Sequence, residues 1–159
     1  MKRIAVYLLF PILVFVLCVH VQCKKSAEIV SSGTVYFLVS EISHAHGDSY
    51  ILPLTEQADI TAAEAIINGS STSMIVSARI DFGEGDGIYK NKDLLSANGR
   101  VWSWHVVKFN GFVDVSAEIY DSWPTYIENN LDSWMQQNGG AIAFWGYTVS
   151  RKVSLSELK

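Results

Sequence analysis

Both cysteines of this 159-residue chain, Cys18 and Cys23, fall within its first 23 residues, and no cysteine follows. Whatever folds downstream must therefore hold together by packing and hydrogen bonding, without a disulfide and without a thiol for catalysis. The same 23 residues read as an export leader. Lys2-Arg3 is followed by an apolar run from Ile4 to Val19, and Val21-Gln22-Cys23 meets the size requirement of a signal-peptidase site. The run of 16 residues is interrupted by Pro11 and is short for a spanning helix, so cleavage after Cys23 is expected. Two alternatives stay open: an uncleaved leader acting as a membrane anchor, and lipidation of Cys23, which Lys24-Lys25-Ser26 follows as in a bacterial lipoprotein. Each version places the domain outside the cell, secreted or anchored at the outer surface.

With the leader removed, ten basic residues face 16 acidic ones, a balance near −6 against −4 for the whole chain. Nucleic acid and anionic membrane are poor partners for that balance, which leaves a protein or a glycan, and membrane contact only through the leader or a lipid on Cys23. The expected organisation is a signal peptide over 1–23, a flexible stem over 24–32 and one domain over 33–156. About 136 residues rich in Val, Ile and aromatics suffice for one real core and not for two.

Along that domain, Thr34 to Ile42 and Tyr50 to Thr55 read as a strand hairpin around the turn His44 to Ser49, with Pro53 marking an edge or bulge. Asp59 opens a helix in which Thr61 and Glu64 have capping-box spacing and Ile60, Ala63 and Ile67 share a face, closed by Asn68-Gly69. Met74 to Phe82 is a third strand. A polar loop follows to about Gly99, then a fourth strand from Val101 to Phe109. Asn110-Gly111 signals a tight turn into a fifth strand, Phe112 to Tyr120, with Val113, Val115, Ala117 and Ile119 inward. Ser122 and Pro124 begin a second helix reaching Gln137, and Ala141 to Val153 gives one long final strand. The expected fold is α+β: a mostly antiparallel sheet of about six strands with two helices packed on one face.

Several groups of residues bear on chemistry. His44, His46 and Asp48 are candidate zinc or copper ligands, against the reading of incidental histidines in a surface turn. Asp81, Glu84 and Asp86 suggest an irregular calcium loop; an EF-hand register fails because Phe82 falls where its first carboxylate belongs. Otherwise no cofactor is expected. Glu118, Asp121 and Glu128 invite a paired-carboxylate hydrolase, although no nucleophile elbow, zinc-protease or phosphate-loop motif accompanies them. Asn68-Gly69-Ser70 is an N-glycosylation sequon that a helix stop also explains. Of the five tryptophans, Trp102 with Trp104 share a strand face and Trp123 with Trp134 a helix stripe, which suits a core.

The segments Trp102-Ser103-Trp104-His105, Ala117-Glu118, Tyr126-Ile127-Glu128 with Leu131, Gly139-Gly140, Trp145 and Ser150-Arg151 with Val153 resemble a small exported domain. It is found in bacterial proteins labelled calmodulin-like and at the N-terminus of a eukaryotic calmodulin-binding protein, and Leu54-Thr55-Glu56 fits the same plan. The chain departs from the bacterial pattern in lacking two cysteines near the second helix and last strand, and in having Val106-Val107-Lys108 after the histidine. The resemblance implies a fold and carries no activity. It directs attention to His105, Glu118, Arg151 and Trp145 as candidate ligand-binding residues. Calmodulin binding does not follow, because the helix from Ser122 to Gln137 has no Lys or Arg. The functional expectation is a secreted or surface-exposed, non-enzymatic binding module, with a carbohydrate-binding module or a small carboxylate hydrolase as alternatives.

Overall fold

The computed structural model describes residues 33–43, 46–114 and 122–159. The leader with Cys23, the stem, His44, Glu118, Asp121 and the expected inward residues Val115, Ala117 and Ile119 lie outside them.

Eight strands are formed: β1 Val35–Glu41, β2 Ser49–Leu54, β3 Ile75–Phe82, β4 Lys92–Asp93, β5 Arg100–Val101, β6 Trp104–Val113, β7 Ala141–Ile142 and β8 Tyr147–Val153. Three short helices join them, α1 Gln57–Ile67, α2 Pro124–Asn129 and α3 Leu131–Asn138, with a 3-10 turn at Leu155–Glu157. The strands make three small antiparallel sheets, ordered β2-β1-β8, β6-β3-β7 and β4-β5.

The uninterrupted apolar run of β1 has a physical reason. It is the middle strand of its sheet, and both of its faces are covered. Phe37 and Val39 enter the main core with Leu52, Val76, Trp104 and Ile127. Tyr36 and Leu38 face the other way, into a smaller cluster with Ile51, Tyr89, Val153 and Leu158. Trp102 and Trp104 are fully buried, their rings 6.0 Å apart. Burying an indole removes roughly 150–250 Å² from water, a gross gain of about 4–6 kcal/mol for each ring. One such ring matches or exceeds the ~2–4 kcal/mol of a typical disulfide, so packing replaces the crosslink this domain lacks.

The connection from Gly83 to Trp102 closes over the open edge of β2. Asn91 is fully buried. Its side-chain carbonyl accepts from the Ile51 N–H at 2.8 Å, and its amide nitrogen donates to the Trp104 carbonyl at 2.8 Å. The Trp102 indole N–H donates to the Ser49 carbonyl at 2.8 Å, and the Ser49 hydroxyl donates to Asp93 at 2.8 Å. Side chains thus occupy edge positions where a ladder partner would sit, since buried backbone groups need partners.

The expected single sheet of about six strands with two helices on one face is overturned. The protein is mostly β, and three local signals account for the difference. Asn110-Gly111 makes no turn; β6 runs through it, pairing Phe109 with Ala78 and Gly111 with Ser77, so Asn110 is the extra residue of a bulge. The expected final strand is two strands: β7 pairs with β3, the chain then turns at Trp145-Gly146, and β8 pairs with β1. The expected second helix breaks at Asn130, whose φ of −131° is not helical, and α2 is entered from Trp123 rather than Ser122. The first helix also starts earlier. Its N-cap is Glu56, and the Thr61 hydroxyl donates back to the Gln57 carbonyl at 2.8 Å, so Thr61 caps nothing. Ile66, not Ile67, completes its buried stripe.

Candidate functional site

Most residues that carry the family pattern have structural work. Ser103 donates its backbone N–H and its hydroxyl to the same Glu128 oxygen, at 2.9 and 3.0 Å. The Trp-Ser-Trp-His segment ahead of and within β6 and the Tyr-Ile-Glu segment of α2 are therefore two halves of one joint. Glu128 is its strut, which takes that carboxylate out of the paired-carboxylate arrangement. Gly140 lies against β3. The Ile80 N–H donates to its carbonyl at 2.8 Å, its φ is +76°, and a Cβ there would stand 2.4 Å from the Ile80 oxygen. Arg151 pairs with Glu157 at 2.9 Å, and the Ser150 hydroxyl donates to the Leu38 carbonyl at 3.2 Å.

Trp145 is different. Phe144 and Tyr147 are both in the core, 1% exposed, and the Tyr147 N–H donates to the Phe144 carbonyl at 3.2 Å across a four-residue turn. Gly146 supplies the positive φ, +78°, that the third residue of a type II turn needs. With both flanking rings turned inward, Trp145 stands at the apex, 62% exposed. Ile42, whose N–H donates to the Gly146 carbonyl at 2.9 Å, is 56% exposed, and Met74 is 37% exposed. These three line a depression of about 260 Å³ together with Ile75, Thr72 and Asp114. Three neighbouring side chains left largely in water form an apolar patch that packing does not require.

The other candidates are dispersed. His105 lines a separate cleft of about 330 Å³ with Glu56, Asp59, Asp86 and Lys108, and its Nδ1 lies 3.0 Å from the Gly83 carbonyl. Arg151 borders a groove on α1 beside Glu64, Ile67, Asn68 and Lys152. His105, Arg151 and Trp145 thus line three different depressions, and Glu118 lies outside the described residues.

Of the candidate metal ligands, His46 stacks on Trp123, ring centroids 4.3 Å apart, and hydrogen-bonds Glu41. Asp48, 3% exposed, accepts from the Tyr147 hydroxyl through one oxygen and from the Thr125 N–H at 2.9 Å through the other. Asp48 therefore ties β8 to the first turn of α2, where a carboxylate meets free N–H groups. Burial and the hydrogen bond to Asp48 push the Tyr147 hydroxyl far above its ordinary pKa. Burial opposes ionisation of Glu41, but the His46 N–H, the Ser43 hydroxyl and the His46 ring outweigh it and hold its carboxyl below the usual range.

In the proposed calcium loop each carboxylate serves a local neighbour. Asp81 accepts from the Phe82 N–H at 2.8 Å, Glu84 pairs with Lys90 at 2.9 Å, and Asp86 accepts from the Ile88 N–H at 2.9 Å. Among the described residues no three His, Cys, Asp or Glu side chains are grouped to take one metal ion.

Sequence reasoning missed Ile42 and Met74 as partners of Trp145, since each reads as the ordinary end of a strand. It also missed Asn91, Asp93 and Asp48 as buried anchors. A polar residue in a polar loop gives no sign of burial, although the run of Tyr89, Leu94 and Leu95 around Asn91 could have hinted at a covered segment.

The fold and its surface define a small, mostly β, cysteine-free domain that holds its sheets together by side-chain hydrogen bonds and presents one aromatic at a turn. Residues 33–156 match the family described as the N-terminal domain of a calmodulin-binding protein, and the chain belongs to that family. No curated protein and no solved structure matches the chain.

Proposed function

We propose that this is a secreted or surface-exposed, non-enzymatic binding module that receives an apolar side chain of a partner protein on the patch formed by Ile42, Met74 and Trp145. The observation that carries the reading is the 62% exposure of Trp145 at a turn whose neighbours are buried. Trp is the residue most enriched at binding hot spots, where removing it costs about 2 kcal/mol or more. At about 260 Å³ the depression is smaller than the ~300–1,000 Å³ of sites that engulf a whole small ligand, and it suits one inserted side chain. The neighbours of Trp145 are aliphatic, which favours a protein over a glycan: a sugar platform asks for aromatics in a row beside carboxylates and amides. Kinship with the bacterial exported domains labelled calmodulin-like belongs to the same proposal.

The test is capture of partners from extracellular material by the mature domain, identification by mass spectrometry, and titration of the purified partner against three forms. Trp145→Ala is expected to weaken binding at least tenfold, while Val107→Ala, an exposed change on β6, leaves it unaltered. Equal affinity in wild type and Trp145→Ala would refute the assignment. Binding on a glycan array that Trp145→Ala abolishes would move the site to the carbohydrate reading.

A further inference from the structure

The sequon at the end of α1 is left unused by the binding reading. Asn68 is the C-cap of that helix, and Asn68, Gly69 and Ser70 are all exposed. The backbone here is fixed by the Asn68 N–H to Glu64 carbonyl bond at 3.0 Å, the Gly69 N–H to Ile66 carbonyl bond at 2.9 Å and the Ser70 N–H to Ala65 carbonyl bond at 2.7 Å. None of the contacts that hold the turn uses the side chains of Asn68 or Ser70. Both are therefore free for recognition, and the helix loses nothing if Asn68 is modified. Beside Asn68 lies a groove of about 250 Å³ lined by Glu64, Ile67, Arg151 and Lys152. Ile67 is 37% exposed there, and Lys152 is ion-paired with Glu64 across the groove. An apolar floor with a polar rim matches a sugar ring, which has C–H faces and a hydroxyl perimeter.

We infer that Asn68 is a site of N-linked glycosylation and that the proximal sugar rests on Ile67 in this groove. The inference depends on export of the chain and not on the Trp145 patch, whose lining does not include Asn68. The co-substrate is a lipid-diphosphate-linked oligosaccharide. The Asn68 amide nitrogen attacks the anomeric carbon, a C–N bond forms as the sugar–phosphate C–O bond breaks, the amide gives up one proton, and the lipid diphosphate leaves with the bonding electron pair. The Ser70 hydroxyl completes the acceptor motif. Covering Ile67 removes one exposed apolar side chain from a domain that has no disulfide to protect it.

The experiment expresses the full chain in cultured eukaryotic secretory cells and analyses the protein in the medium by intact mass and peptide mapping. A peptide-N-glycosidase-sensitive mass is expected on the Asn68 peptide of wild type and of Ser70→Thr, and absent in Asn68→Gln and Ser70→Ala. Secreted protein with an unmodified Asn68, or an added mass that survives Asn68→Gln, overturns the inference. Chain retained inside the cell with its leader intact overturns the export premise instead, and the two failures are told apart by location and N-terminal sequence. For the seat of the sugar, protein trimmed by endoglycosidase to its single proximal residue should melt above Asn68→Gln. Ile67→Ser should close that gap, and equal melting of the trimmed and unglycosylated forms overturns the contact with Ile67.

Discussion

Asn91→Ala tests the joint between the two larger sheets. Asn91 is fully buried and makes two 2.8 Å hydrogen bonds to backbone groups, the Ile51 N–H of β2 and the Trp104 carbonyl of β6. Truncation leaves both groups without a partner, and each unsatisfied buried group costs about 1–3 kcal/mol. The expected loss is thus about 2–6 kcal/mol, a large share of the ~5–15 kcal/mol that a domain has in total. Urea unfolding followed by tryptophan fluorescence should show a lower midpoint with an unchanged slope, because the surface exposed on unfolding stays the same.

Asn91→Asp sharpens the argument. It keeps an acceptor for the Ile51 N–H but sets a carboxylate oxygen against the Trp104 carbonyl. Burial and that oxygen raise the folded-state pKa above the unfolded value of about 3.9. The folded state then binds more protons than the unfolded one, so the stability of this variant must fall as pH rises from about 4 toward 7 and recover on acidification. A loss under about 1 kcal/mol in Asn91→Ala, within the range of ordinary surface changes, would refute the bridging role. So would a pH profile for Asn91→Asp parallel to that of wild type.

Gly140→Ala should destabilise by at least about 2 kcal/mol in the same assay, because the new Cβ meets the Ile80 carbonyl at 2.4 Å and the φ of +76° is strained for alanine. Tyr147→Phe removes the hydroxyl donor from buried Asp48 and should cost about 1.5–3 kcal/mol; a change near zero would mean that water replaces the hydroxyl there. The Glu157 carboxyl is held at about 2, against an ordinary 4.5, by the Arg151 guanidinium and then by the Ser154 N–H and hydroxyl. Its contribution is therefore present above the unfolded value and lost as pH falls from about 4.5 toward 2. Since Glu157 is well exposed, that contribution is under about 1 kcal/mol, and Glu157→Gln should remove it at pH 7 while leaving the difference from wild type near zero at pH 2.

Strands whose side chains see one environment were legible in the sequence: β1, β2 and β3 follow their β-branched and aromatic runs. Legibility failed where a local signal has two tertiary outcomes. Asn110-Gly111 suits a two-residue turn, but the pairing of β6 with β3 continues on both sides of it and the extra residue is absorbed as a bulge. Ala141 to Val153 has the composition of one strand, yet Gly146 at positive φ lets the chain leave one sheet and join another. The candidate site was half legible. Trp145 was singled out through the family pattern, but its exposure depends on Phe144 and Tyr147 both turning inward, which only the position of β8 beside β1 determines. Arg151 found a nearer partner, Glu157, than any acid the sequence comparison suggested.

The place of β1 between β2 and β8 has a consequence for how the domain comes into being. Its pairing with β2 is local, whereas its pairing with β8 joins Tyr36–Glu41 to Tyr147–Val153 across roughly a hundred residues of intervening chain. The loop-closure entropy of that second pairing is met only when the C-terminal strand has been synthesised. Until then the β1–β2 hairpin is a two-stranded ribbon with one side uncovered, too small to be stable alone. A nascent chain lacking β8 therefore stays unfolded and threadable, and acquires its structure in one late step.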